Sequence, residues 1–133
     1  ISSTISIAAN TNVHGSSTDQ NKGIGKIAYR VSKTGVNSLT ESFAISQARY
    51  GIRVNAILPG LMETPNGIET VLESSNISRE ELIRMRDEQI PLLGKQGTAW
   101  DVANASLFLA SNEARFIIGV LLPVDGGLNL KRG

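Results

Sequence analysis

A long helix signal set between two strand signals constrains this chain more than any other feature. Between residues 28 and 50, Val36, Leu39 and Phe43 recur at intervals of three and four, while Ala28, Val31, Gly35 and Ala44 add small apolar positions. Gly51 stops the pattern, as glycine does just past a helix end. Upstream, residues 1–8 carry Ile1, Thr4, Ile5 and Ile7 and read as a short buried strand. Downstream, Ile-Arg-Val-Asn-Ala-Ile-Leu at 52–58 alternates and then runs apolar until Pro59-Gly60 breaks it. Strand, helix, strand at these lengths predicts parallel strands joined by a right-handed crossover.

The remainder extends the same plan. Ser78 and Glu81 have capping-box spacing ahead of a short helix over about 79–89. Thr98 and Asp101 repeat it ahead of a helix over about 99–110, with Val102, Ala105 and Leu109 on one stripe. Residues 118–124 form a last apolar strand, closed by Asp125-Gly126-Gly127. Apolar strands between amphipathic helices imply a sheet covered on both faces, an α/β chain of one domain over 1–133. Residues 10–26, polar and rich in Gly and Ser, read as a long loop. Within it, Gly23-Ile-Gly25-Lys26 reads as a flexible turn and His14 as a surface residue.

Composition narrows the function classes. Thirteen basic and twelve acidic residues leave a net charge of +1, which argues against a nucleic-acid surface or a polybasic membrane anchor. The absence of cysteine excludes disulfides, thiolate metal sites and a Cys nucleophile, and fits a reducing cytoplasm. Neither a signal peptide nor a bilayer-length apolar run is visible, and no metal-ligating cluster is expected.

The chemistry centres on Tyr29 and Lys33, four residues apart on one helical face. An ammonium within ~4–6 Å of a phenol favours the phenolate, so such a Tyr can exchange a proton with an alcohol or carbonyl oxygen. Trp100 is expected to pack at its helix start, and Asn55 to tie its strand to neighbouring backbone. Met62 and Glu63 are candidates for substrate contact. Asn104 of Asn-Ala-Ser falls inside a helix.

Ile1-Ser2-Ser3, Ala28-Tyr29-Arg-Val-Ser32-Lys33, Asn55-Ala-Ile-Leu-Pro59-Gly60, Asp101-Val-Ala-Asn-Ala-Ser and Val124-Asp-Gly-Gly127 stand in order along the chain. Together they resemble the short-chain dehydrogenase/reductase family over nearly the whole chain, apart from 10–26 and about 66–90. The resemblance implies a three-layer, Rossmann-like doubly wound parallel sheet. It further implies NAD or NADP as cofactor and a small-molecule alcohol or ketone as substrate. Tyr29 would be the general acid/base, with Lys33 holding the nicotinamide ribose. Pro59, Gly60 and Thr64 would wrap the cofactor. Ser3 is the first choice for the serine that polarises the substrate oxygen, followed by Ser6 and then by Ser16 or Ser17. Family resemblance also implies a homo-oligomer, with close approach along Gly35, Ser38 and Ser42.

The family's Gly-rich nucleotide loop does not occur in these residues, and the chain opens on a strand without an initiator Met. The resemblance is therefore to the family's C-terminal half, with residues 62–98 as its variable lid. Alone, such a chain is expected to bind cofactor poorly, turn over little and expose a strand edge that favours aggregation. The competing reading is a non-catalytic binding or assembly module that keeps the scaffold.

Overall fold

The computed structural model describes residues 3–7 and 20–131, with 3–7 and 20–26 as backbone alone. Three strands, β1 (Ser3–Ile7), β2 (Arg53–Pro59) and β3 (Leu121–Val124), form one parallel sheet in the order β1-β2-β3. Between β1 and β2 runs α1 (Gln20–Ala48). Between β2 and β3 lie α2 (Pro65–Leu72), α3 (Arg79–Asp87) and α4 (Ala99–Ala110).

β2 is buried from Arg53 to Ile57 without interruption. Side chains alternate across a strand, so burial of consecutive residues requires cover on both faces. α4 covers one of them. Ile57, Leu109 and Ala114 are fully enclosed there, flanked by Val102, Ala105, Ile117, Val120, Leu122 and Val124. On the same face Arg53 reaches the end of α4, its Nη1 and Nη2 donating to the Leu109 and Ser111 carbonyls at 2.7 and 3.1 Å. Those carbonyls end a helix and lack helical donors, so a buried guanidinium satisfies them. α1 covers the other face through Thr40 and Ala44, which are buried one helical turn apart. The Thr40 hydroxyl donates to the Val36 carbonyl at 2.9 Å, which satisfies that donor within its own helix.

Several expectations are met in detail. α4 has the expected bounds, and Gly51 (φ 72°) ends α1 in the left-handed region. Asn55 ties strand to backbone as expected, donating to the Ile117 carbonyl at 3.0 Å and accepting from Val120 N at 3.1 Å. Two readings are corrected. Residues 20–26 belong to α1 rather than to a loop; the apolar spacing through Ile24, Ile27 and Val31 continues upstream and outweighs two glycines at ~1 kcal/mol each. Residues 10–19 of that expected loop, with His14, Ser16 and Ser17, lie outside the described residues. Trp100 does not pack; it is 76% exposed. Residues 62–98, expected as a lid, also contain α2, announced by a Thr64 N-cap and Pro65 in the first turn.

The capping box of α4 gives a pH prediction. Asp101 Oδ2 accepts from Thr98 N at 2.6 Å and from Thr98 Oγ1 at 2.8 Å. These bonds hold its carboxyl below the ordinary value of 3.8. A carboxyl lowered on folding contributes stability at neutral pH and loses it as pH falls through the folded value. Urea midpoints of wild type and Asp101→Asn should therefore differ at pH 7 and converge under strong acid. A difference that stays constant with pH would remove this role.

Candidate active site

Tyr29 and Lys33 project from α1 on one face, with Lys33 Nζ 5.6 Å from the centre of the Tyr29 ring. Tyr29 is exposed and Lys33 half-buried. Their height follows from element lengths. β2 has seven residues and rises ~3.3 Å per residue, whereas α1 rises ~1.5 Å per residue and runs antiparallel to it. About fifteen residues of helix, from Ala48 back to Lys33, span the strand. The pair therefore stands at and just beyond the carboxyl edge of the sheet, where open α/β sheets hold their ligands.

The candidate serines separate along β1. Ser3 opens the strand opposite Arg53, at the amino edge. Ser6 pairs with Ala56 near the carboxyl edge, ~10 Å further along.

The turn after β2 is built on backbone contacts. Gly60 N donates to the Val124 carbonyl at 2.9 Å, and Gly97 N and Glu63 N exchange bonds with the Leu61 and Gly97 carbonyls at 3.1 and 2.8 Å. Gly60 lies so close to β3 that an added Cβ would meet Asp125 Cβ at 2.5 Å. Asp125 is itself pinned, its two carboxylate oxygens each accepting at 3.0 Å from Gly127 N and Asn129 N. Sequence reasoning gave Gly60 a cofactor role; the structure adds a packing role.

Thr64 Oγ1 accepts from Gly67 N at 3.2 Å and so caps α2. An oxygen that accepts in this way still has its own proton to donate. That proton, beside the first-turn amides of α2, suits an anionic oxygen, and the N-terminal dipole adds to it. Arg86, which the sequence did not single out, donates from α3 to the Met62 carbonyl at 3.2 Å and to the Gly67 carbonyl. A cleft of about 440 Å³ opens beside this turn, lined by Met62, Leu92, Leu93, Gly97 and Val124 among others. It is bordered by β3 and does not include Tyr29 or Lys33. Among the described residues no group of three His, Asp or Glu could hold a metal ion, and no helix is long and apolar enough to cross a membrane.

A family model described as enoyl-(acyl carrier protein) reductase matches residues 7–129. The chain is 39% identical over 103 residues to 2,5-dichloro-2,5-cyclohexadiene-1,4-diol dehydrogenase of Sphingobium indicum, covering 77% of this chain and 38% of that protein. It is 40% identical over 111 residues to 1,6-dihydroxycyclohexa-2,4-diene-1-carboxylate dehydrogenase of Acinetobacter baylyi, covering 80% of this chain and 42% of that protein. A solved oxidoreductase of Burkholderia thailandensis, titled a short chain dehydrogenase/reductase family protein, superposes with a TM-score of 0.79 at 32% identity over 98% of this chain and 46% of its own. The chain thus spans about two-fifths of the length of these two relatives and just under half of that structure.

Proposed function

This chain belongs to the short-chain dehydrogenase/reductase family, and we propose that it carries the proton-transfer face of an NAD- or NADP-dependent oxidoreductase acting on a ring-borne secondary alcohol or its ketone. One observation carries the reading: the ammonium of Lys33 stands 5.6 Å from the centre of the Tyr29 ring on one face of α1. The named substrates of the relatives, a cyclohexadiene diol and a dihydroxycyclohexadiene carboxylate, support the ring alcohol.

In this reading Tyr29 Oη takes the hydroxyl proton as the alcohol is oxidised and returns it as the ketone is reduced. The ammonium of Lys33 stands beside the ring whose oxygen moves the proton. Lys33 would also hold the nicotinamide ribose, and Pro59, Gly60 and Thr64 the remainder of the nicotinamide end. A nicotinamide cofactor held there would supply the hydride chemistry at the carbinol carbon. The substrate oxygen needs a hydrogen-bond donor at the carboxyl edge. Position along β1 favours Ser6 over Ser3 for that role, because Ser3 lies at the opposite edge.

The reading extends to a homo-oligomer in the cytoplasm. Leu39 and Phe43 of α1 are half exposed or more, and the space around Gly35 is open, which leaves a helix face for a second copy. The test is a panel of cyclic secondary alcohols offered to the protein at its natural length with NAD⁺ and NADP⁺. Growth of reduced-nicotinamide absorbance with at least one alcohol is expected. No turnover, joined with no calorimetric binding of either cofactor, would leave the scaffold reading instead.

A further inference from the structure

α3 is a weakly anchored helix. Its sequence, Arg-Glu-Glu-Leu-Ile-Arg-Met-Arg-Asp, is strongly polar, and only Leu82 is buried in it. Its ion pair to α2, Arg79 with Glu69, is solvent-exposed on both sides, and such pairs hold little. Arg86 is different. From the last turn of α3 it reaches two main-chain carbonyls on two separate pieces, Met62 in the turn after β2 and Gly67 in the first turns of α2. Its Nε is buried and has no partner. Burial pushes the guanidinium down from its ordinary value, while the neighbouring charges of Asp87 and Glu63 pull it up.

A planar fork can span two carbonyls that an ammonium meets one at a time. Both acceptors are backbone atoms, so the contact fixes where the chain runs rather than which side chain it carries. The geometry points to Arg86 as a positioning residue, a latch that holds the turn after β2 against α2 and α3 and with it the hydroxyl of Thr64. Its bearing on cofactor and substrate rests on the enzymatic reading above; the latch itself does not.

The segment it closes has the features of a region that opens locally. It has few buried apolar contacts and short helices, and solvent reaches much of its surface. Thr64 caps α2 only while residues 62–67 keep their turn, and Arg86 grips both ends of that stretch. Releasing Arg86 leaves α3 held by Leu82 and by Asp87, whose Oδ1 accepts from Gln96 N at 2.9 Å, and loosens the cap from the far side.

The experiment is hydrogen exchange with mass-spectrometric readout on the protein at its natural length, comparing wild type, Arg86→Lys and Arg86→Met. Amides of 62–72 and α3 should exchange at least about tenfold faster in Arg86→Met and by an intermediate factor in Arg86→Lys. Amides of β2 and α4 should be unchanged. Equal exchange in all three proteins, or acceleration spread evenly over the chain, overturns the latch. In the active enzyme, Arg86→Met should raise KM for the alcohol about tenfold while kcat stays within about threefold. A fall in kcat at constant KM overturns the positioning role. If wild type binds no nicotinamide cofactor, the enzymatic reading fails and the exchange result still decides the latch.

Discussion

Replacing Tyr29 by Phe should lower alcohol oxidation by two to four orders of magnitude while leaving the fold intact. The size follows from the role, since positioned proton transfer contributes roughly 10²–10⁴-fold. Survival of the fold follows from the environment. Tyr29 is 42% exposed near the start of the described side chains of α1, and the buried anchors of that helix, Thr40 and Ala44, lie further along. Phe keeps the ring under Lys33 and removes only the oxygen. Steady-state rates at saturating cofactor, with circular dichroism as control, make the comparison. A variant that keeps a tenth or more of the wild-type kcat would show that another group moves the proton. Lys33→Met should give a loss of similar order, since the proposed reading sets its ammonium beside the ring that moves the proton and on the nicotinamide ribose.

The second large effect is structural. Gly60→Ala should destabilise the protein by about 3 kcal/mol, the upper part of the range for overpacking. The added Cβ would stand 2.5 Å from Asp125 Cβ and 2.7 Å from Asp125 Cα, where carbon atoms need ~3.5–4.0 Å. Neither contact involves a side-chain end that can rotate away. Either the turn after β2 shifts or the Asp125 turn does, and the latter holds two backbone amides. Gly35→Ala is the internal contrast. Within this chain nothing lies within 4 Å of its added Cβ, and it sits inside α1, so a gain of about 0.5–1 kcal/mol is expected for a single copy whose face is uncovered. Urea unfolding midpoints at unchanged slope measure both. Equal midpoints for Gly60→Ala and wild type would show slack at the carboxyl edge and remove this account of why glycine stands there.

What was legible in the sequence was whatever repeats or punctuates. The bounds of α4 and the end of α1 follow from caps and a glycine, and β2 from its apolar run. The Tyr29–Lys33 pairing follows from helical spacing alone, because residues four apart must share a face. The extra turns of α1 were hidden by Gly23 and Gly25, whose loop-like look outweighed an apolar spacing that continued through Ile24. α2 was hidden by its shortness, although Thr64-Pro65 marked its start. Arg53 and Arg86 left no trace. Each acts by reaching tens of residues along the chain to a backbone carbonyl, and neither period nor motif encodes where a long side chain will end. Motif matching does not measure height along a strand; the parallel register with β2, which sets Ser3 opposite Arg53 and Ser6 opposite Ala56, adds that measure.

Tyr29 has the geometry of a load on a cantilever. Among the described side chains of α1, full burial begins at Thr40, Lys33, Val36 and Asn37 are half-buried, and those from Ile27 to Ser32 are exposed. The rod between Ala44 and Tyr29 is ~22 Å long, so a tilt of about five degrees at the clamp sweeps the phenol by ~2 Å, and a misplacement of ~1 Å can cost a hundredfold in rate. Substitutions at Thr40 or Ala44, remote from any reacting atom, would thus detune the chemistry by leverage as well as weaken the fold.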